Sequence, residues 1–147
     1  MPLPTSFKTT RRVEFCDTDA AGILHFSAFF QLMEQAEHEL LRSVGLSVVM
    51  SDAEGKIGWP RVSARCDFRS AVRFEEELEI VVSIGRLGEK SVTYAFAVTC
   101  AGRDVAAGEI TSVCCRMKEG QTLEPITIPL RFREKLAQFV VAGAGGK

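Results

Sequence analysis

The chain is 147 residues long, 46% apolar and 25% charged, enough for one domain with a real core and too short for two comfortable ones. Its formal net charge is -1, from 18 Lys and Arg against 19 Asp and Glu. The basic residues are scattered, which argues against nucleic acid as a partner because phosphate binding draws on concentrated positive charge. Five cysteines lack metal-ligand spacing, no apolar run approaches about 18 residues, and no basic-then-apolar leader opens the chain. The expectation is a cytoplasmic protein with reduced thiols, no membrane span and no metal.

Residues 7–15 alternate, with Phe7, Thr9, Arg11, Val13 and Phe15 on one side, and predict a first strand. Residues 16–22 break the pattern and form a loop. Ser27 is placed as the N-cap of a helix over 28–44, in which Phe29, Phe30, Met33, Ala36, Leu40, Leu41 and Val44 recur mostly at three- and four-residue steps. Gly45 is a natural left-handed stop. Gln31, Glu34, Gln35, His38 and Arg42 cover the polar side, with Glu37 at its edge; a solvated or interface-facing stripe is the default reading for Glu34, Glu37 and His38. A short second helix is expected over 47–54.

Four segments rich in Val, Ile, Phe, Tyr and Thr follow, at 59–68, 77–86, 91–100 and 104–117. The last three are joined by the Gly-containing turns "RLGEK" and "AGRD", as hairpins require. Pro125 and Pro129 precede a C-terminal helix over 130–140, and "AGAGGK" at 142–147 reads as a frayed tail. Strand, long helix and a four-stranded antiparallel meander make an α+β layer architecture, one domain over 1–147 with its core in about 7–117. Such a sheet presents an edge, so homo-oligomerisation is expected.

The segment "EFCDTDAAGILHFSAFF" at 14–30 sets Asp17 and Asp19 at the seam between strand and helix. Asp bonds nearby backbone readily in turns, so a structural role explains both acids cheaply. The wider pattern is more specific. Asp17, Asp19, Gly22, Ile23, Phe26 and Phe29 fill a D-x-D-x-x-G-I motif with its trailing aromatics, after a basic strand bearing Arg11 and Arg12. Together with "GWPRVSARCDF" (58–68), "EELEIVVSI" (76–84) and "EKS" (89–91), this resembles the 4-hydroxybenzoyl-CoA thioesterase family of hotdog-fold proteins over roughly residues 11–117.

That resemblance implies a hotdog fold, a curved antiparallel sheet wrapped around the long helix, dimerising edge to edge, with two active sites per dimer at the interface and further pairing into tetramers in many members. It implies an acyl-CoA substrate, hydrolysis without a cofactor, and Asp19 as the catalytic acid of the loop, attacking the thioester carbonyl or activating water. A helix N-terminus offers free N–H groups and partial positive charge, and the resemblance places the carbonyl-polarising N–H at Phe26. Gly22 permits a tight turn and close approach to the backbone. His25 is a further candidate: a related branch, the Tol-Pal-associated short-chain acyl-CoA thioesterases, has a His four residues after the Gly, where this chain has Phe26. Another branch uses a helix Glu, for which Glu34 is the candidate, secondary to the loop Asp.

For substrate binding, Phe29, Phe30 and Trp59, with Phe26, are candidates for an aromatic acyl cavity, aryl or medium-chain. Lys90 and Ser91 match the family's phosphate-contacting turn, though Gly88 and Glu89 replace a more basic run; Arg86 and Arg61 could compensate. The rival readings are a non-hydrolytic acyl-CoA-binding hotdog protein and a hotdog hydratase or dehydratase. The second needs a His with an acid in another loop, and the chain has only His25 and His38.

Overall fold

The computed structural model describes residues 5–120 and 122–141; the tail expected at 142–147 lies outside them. Helix α1 (Ala28–Ser43) buries Phe29, Leu32, Met33, Ala36, Glu37, Leu40 and Leu41 along one stripe, as three- and four-residue steps require. It lies against a five-stranded antiparallel sheet built from β1 (Phe7–Arg12), β4 (Arg61–Phe68), β5 (Glu77–Leu87), β6 (Ser91–Cys100) and β7 (Arg103–Val113), in the order β1-β5-β6-β7-β4. A period of two puts Leu78, Ile80, Val82 and Ile84 of β5 and Val92, Tyr94, Phe96 and Val98 of β6 in the core. The helix touches β1 and β4, the two edges, as well as β5 beside β1, so the sheet curls around it. This is the α+β arrangement expected of a hotdog fold.

The expected four-strand meander is corrected at β4. That strand is not next to β5: it pairs with β7 at the opposite edge, Phe68 against Ala106. The link at 69–76 then crosses one end of the sheet, held by the Arg69 and Ser70 N–H groups on Val105 O at 2.8 and 3.2 Å and by Leu24 N–H on Val72 O at 2.9 Å. It rejoins the sheet where Glu77 pairs with Arg12. The expected helix over 47–54 is instead a hairpin, β2 (Met50–Asp52) with β3 (Gly55–Gly58), tied by Arg116 to Asp52 at 2.6 Å. The strand expected over 104–117 breaks at Cys114: β8 (Cys115–Met117) leaves the main sheet and joins β3 and β9 (Leu123–Pro125) in a small second sheet. Cys114 and Cys115 are therefore both buried, and burial pushes the Cys114 thiol up to about 11. All five cysteines are free thiols.

Helix α2 (Leu130–Ala137) packs Phe132 and Leu136 into the core. The chain after it adds a parallel bridge, Val140 against Ile84, on the part of β5 beyond the end of β1. No helix among the described residues is long and apolar enough to cross a membrane.

The tightest helix–sheet approach is at Gly108, where a Cβ would stand 2.6 Å from Met33 Cε and 2.9 Å from Arg65 O. Gly108→Val should lose about 2 kcal/mol of stability, the scale of forced overpacking. Urea unfolding reads this directly, and an unshifted midpoint would mean the helix does not press on the sheet there.

Candidate active site

A single turn of 3-10 helix (Phe15–Asp17) carries the chain off β1. The loop then doubles back: Asp19 N–H donates to Ile23 O at 2.8 Å and Gly22 N–H to Asp19 O at 2.9 Å. Gly22 has φ +80°, the left-handed region that favours glycine. The Asp19 carboxylate accepts through Oδ1 from the N–H groups of Ala21 (2.8 Å) and Ile23 (3.3 Å), while Oδ2 has no partner among the described residues. The turn-holding role expected of Asp17 thus belongs to Asp19; Asp17 contributes its backbone carbonyl, which accepts from His25 N–H at 2.8 Å.

The start of α1 also differs from expectation. Ser27 is already helical at φ -71° and ψ -24°, and its hydroxyl caps nothing. His25 does the capping. Its carbonyl accepts from Ala28 N–H at 2.9 Å, and its Nδ1 accepts from Ser27 N–H at 3.1 Å and lies 2.8 Å from Ser27 Oγ. An Nδ1 that accepts a backbone N–H carries no proton, so the neutral ring is protonated on Nε2. Phe26 N–H, between these bonds, has no partner among the described residues.

A cavity of about 360 Å³ opens at this end of the sheet. Asp19, Phe26 and Phe29 line it, as do Phe68, Arg69 and Ser70 from the crossing link. Phe29 and Phe68 meet edge to face, with centroids 5.2 Å apart. Asp19 is half-buried and Phe26 is 63% exposed, so the cavity mouth is open.

Not every predicted residue joins them. Phe30 and Glu34 line a separate cavity of about 170 Å³ with Arg61. Trp59 packs on Phe132 at 5.4 Å, its Nε1 buried without a partner among the described residues. The single aromatic cavity expected from Phe26, Phe29, Phe30 and Trp59 is therefore divided. His25 faces a third, polar hollow with Cys16, Asp17 and Ser27. Arg86, Lys90 and Ser91 sit at the β5–β6 turn, the opposite end of β5 from Glu77. At about 3.3 Å per residue this puts them roughly 30 Å from the Asp19 end.

Arg61, expected to serve a phosphate, is committed within the chain. It donates to Glu34 Oε2 and Ser112 Oγ, both at 2.8 Å, and lies 2.7 Å from Glu37 Oε1, a contact too bent for a hydrogen bond. Glu37, not Glu34, is the buried acid, 1% exposed; it stands four residues from both Met33 and Leu41, inside the apolar stripe. Burial pushes its carboxyl up to about 7 against the pull of Arg61. Arg61 holds the exposed Glu34 below the usual carboxylate range.

Known proteins were compared with this chain. The profile of the thioesterase-like superfamily matches residues 13–138. A 1,4-dihydroxy-2-naphthoyl-CoA hydrolase of Synechococcus sp. (strain WH7803) is 31% identical over 113 residues, 72% of this chain and 74% of the relative. The solved structure of a gentisyl-coenzyme A thioesterase superposes with a TM-score of 0.76 at 30% identity, covering 88% of this chain and 98% of that one. A 4-hydroxybenzoyl-CoA thioesterase variant complexed with 4-hydroxybenzoyl-CoA shares the fold, with a TM-score of 0.77 at 19% identity over 89% and 98% of the two chains.

Glu37 gives a pH signature. Between its unfolded value of 4.5 and its folded value of about 7, the native state holds a proton that the unfolded chain has released. Stability from this group is thus full below pH 4.5, falls as pH rises to 7 and is flat beyond, a change of about 3 kcal/mol. His38, lowered by burial, titrates with the opposite sign in this window, so the difference between wild type and Glu37→Gln isolates the effect. That difference, from urea unfolding at pH 5 and pH 8, should shift by up to that amount in favour of the variant at the higher pH. An equal difference at both would mean Glu37 stays ionised.

Proposed function

The chain belongs to the thioesterase-like superfamily, with the hotdog arrangement of sheet and helix, and from that premise we propose that it hydrolyses acyl-CoA thioesters at the Asp19 cavity. The observation that carries this reading is a carboxylate with one oxygen tied to its own loop and the other without a partner among the described residues, lining a mostly apolar cavity at the opening of α1. Asp19 Oδ2 attacks the thioester carbon, or takes a proton from the water that does. Negative charge then grows on the carbonyl oxygen, where the Phe26 N–H and the positive end of the helix stabilise it. One such donor contributes about 3 kcal/mol to the barrier. Collapse breaks the carbon–sulfur bond and releases CoA thiolate; if Asp19 attacks directly, water then cleaves the acyl-aspartate. The reaction draws on water and on no cofactor beyond the substrate's own CoA.

Relatives named for 1,4-dihydroxy-2-naphthoyl-CoA and gentisyl-CoA favour an aryl acyl group, and the facing rings of Phe29 and Phe68 suit one. His25 acts by capping α1 rather than by exchanging protons with substrate.

The reading also calls for a second copy of the chain. A pantetheine arm spans roughly 15 Å when extended, by the reach of an equivalent length of peptide, about half the distance from Asp19 to Lys90 and Ser91 in one protomer. Strand β4 is an exposed edge, with Val62, Ser63, Ala64 and Arg65 all open to solvent. Antiparallel union of two β4 edges reverses direction, carrying the second copy's β5–β6 turn toward this cavity and leaving fewer strand groups unpaired.

Asp19→Asn keeps the Oδ1 acceptor and so the loop, but removes the charge. Turnover of benzoyl-CoA, followed by thiol release, should fall roughly a hundredfold or more at an unchanged melting temperature; near-wild-type turnover would refute the assignment. In light scattering the chain should run as a dimer or larger, and a fully active monomer would contradict a shared site.

A further inference from the structure

The crossing link carries two exposed arginines, Arg69 and Arg73, and neither is ion-paired among the described residues. Six other arginines are paired. Arg73 lies outside the loop, its Nη1 3.5 Å from where a Cβ on Gly22 would stand. Arg69 lines the cavity that Asp19 lines. The remaining lining is mostly apolar, and Ser70 has its hydroxyl proton committed to Asp104 O. Among the described residues that line the cavity, Arg69 is therefore the one cation. A guanidinium has five N–H donors and no acceptor, and it binds anionic oxygen best.

Building on the hydrolase reading, we infer that Arg69 is a specificity residue, selecting acyl groups that carry an anionic oxygen, a carboxylate or phenolate, on the ring. Geometry separates this from the other anionic source, the CoA phosphates. With the thioester at Asp19, those phosphates lie roughly 15 Å away along an extended arm. A benzene fits a cavity of roughly 150 Å³, so the cavity of about 360 Å³ has room for a substituted aryl group, and a cation sharing it with Asp19 meets the acyl end. The rings of Phe29 and Phe68 would hold an aryl group while Arg69 reads its oxygen.

The test compares benzoyl-CoAs bearing carboxylate or methyl at the 2, 3 or 4 position, with the matching N-acetylcysteamine thioesters, which lack phosphate. In wild type, carboxylate should be preferred over methyl about tenfold or more in kcat/KM at one position, the scale of a charge-assisted hydrogen bond. Arg69→Met should abolish that ratio in both thioester series, Arg69→Lys should keep part of it, and Arg73→Met, an equal change in net charge, should retain it. A ratio untouched by Arg69→Met means a merely solvated side chain and overturns the inference. A loss confined to CoA esters assigns the cation to phosphate and overturns it too. Binding of the carboxylated and methylated S-phenacyl-CoA thioethers, read by calorimetry, needs no chemistry. An Arg69-dependent preference there without any thioester hydrolysis would sink the hydrolase reading alone, and hydrolysis without the preference would sink only the role of Arg69.

Discussion

The close contact of α1 with the sheet, met by the missing side chain of Gly108 under Met33, is the constraint on which the rest depends. A helix that buries Met33, Ala36 and Leu40 completely must lie down in the trough of the curled sheet. Once it does, its N-terminus is fixed at one end, beside the link that leads into β5. The loop from β1 to the helix can then only close over that end, and the crossing link from β4 closes it from the other side. The cavity is what remains between two connections, at the point where the helix offers unsatisfied N–H groups.

Within that loop the chemistry and the architecture share one side chain. Asp19 accepts two backbone N–H groups through Oδ1, and its Oδ2 has no partner among the described residues. Two of the bonds that hold the loop therefore also orient the acid. His25 shows the same economy at the helix start, where its ring and its carbonyl satisfy consecutive N–H groups. The N–H of Phe26, just before them, has no partner among the described residues. A helix end with one deliberately unused donor beside an unpartnered carboxylate oxygen is an arrangement suited to a carbonyl developing negative charge.

The other charges separate by location. Around Arg61, hydrogen bonds to Glu34 and Ser112 and the ion pair with Glu37 join α1, β4 and β7. That cluster anchors the first residue of the exposed edge strand to the helix, so the edge proposed to meet a second copy is held in place from inside. At the cavity the balance is reversed: Arg69 has no ion-pair partner among the described residues, and it shares the lining with Asp19 and three phenylalanines. Arg61 is held within the fold and Arg69 lines the cavity, although the chain offers Arg61, not Arg69, as a ligand-binding candidate.

The helix was legible because its three- and four-residue steps follow from burying one stripe. The strands β5, β6 and β7 were legible because alternation and Gly turns are local. The motif around Asp19 and Gly22 was legible because residue types at fixed spacing carry it. The spacing of Glu37, four residues from both Met33 and Leu41, places it inside the apolar stripe, although its charge alone suggests the edge. What only the tertiary structure decided is long-range. The sequence between 47 and 54 reads equally as a short helix, and becomes a hairpin only because β8 and Arg116 are there to receive it. Strand β4 sits beside β7 rather than β5 because pairing is chosen by geometry across the sheet, which no local pattern encodes. That choice brings Phe68 and Arg69 to Asp19, sends Trp59 to Phe132 and engages Arg61 with Glu37. Local residue patterns thus determined the elements and the reactive loop; which side chains face that loop was decided by packing among segments far apart in the chain.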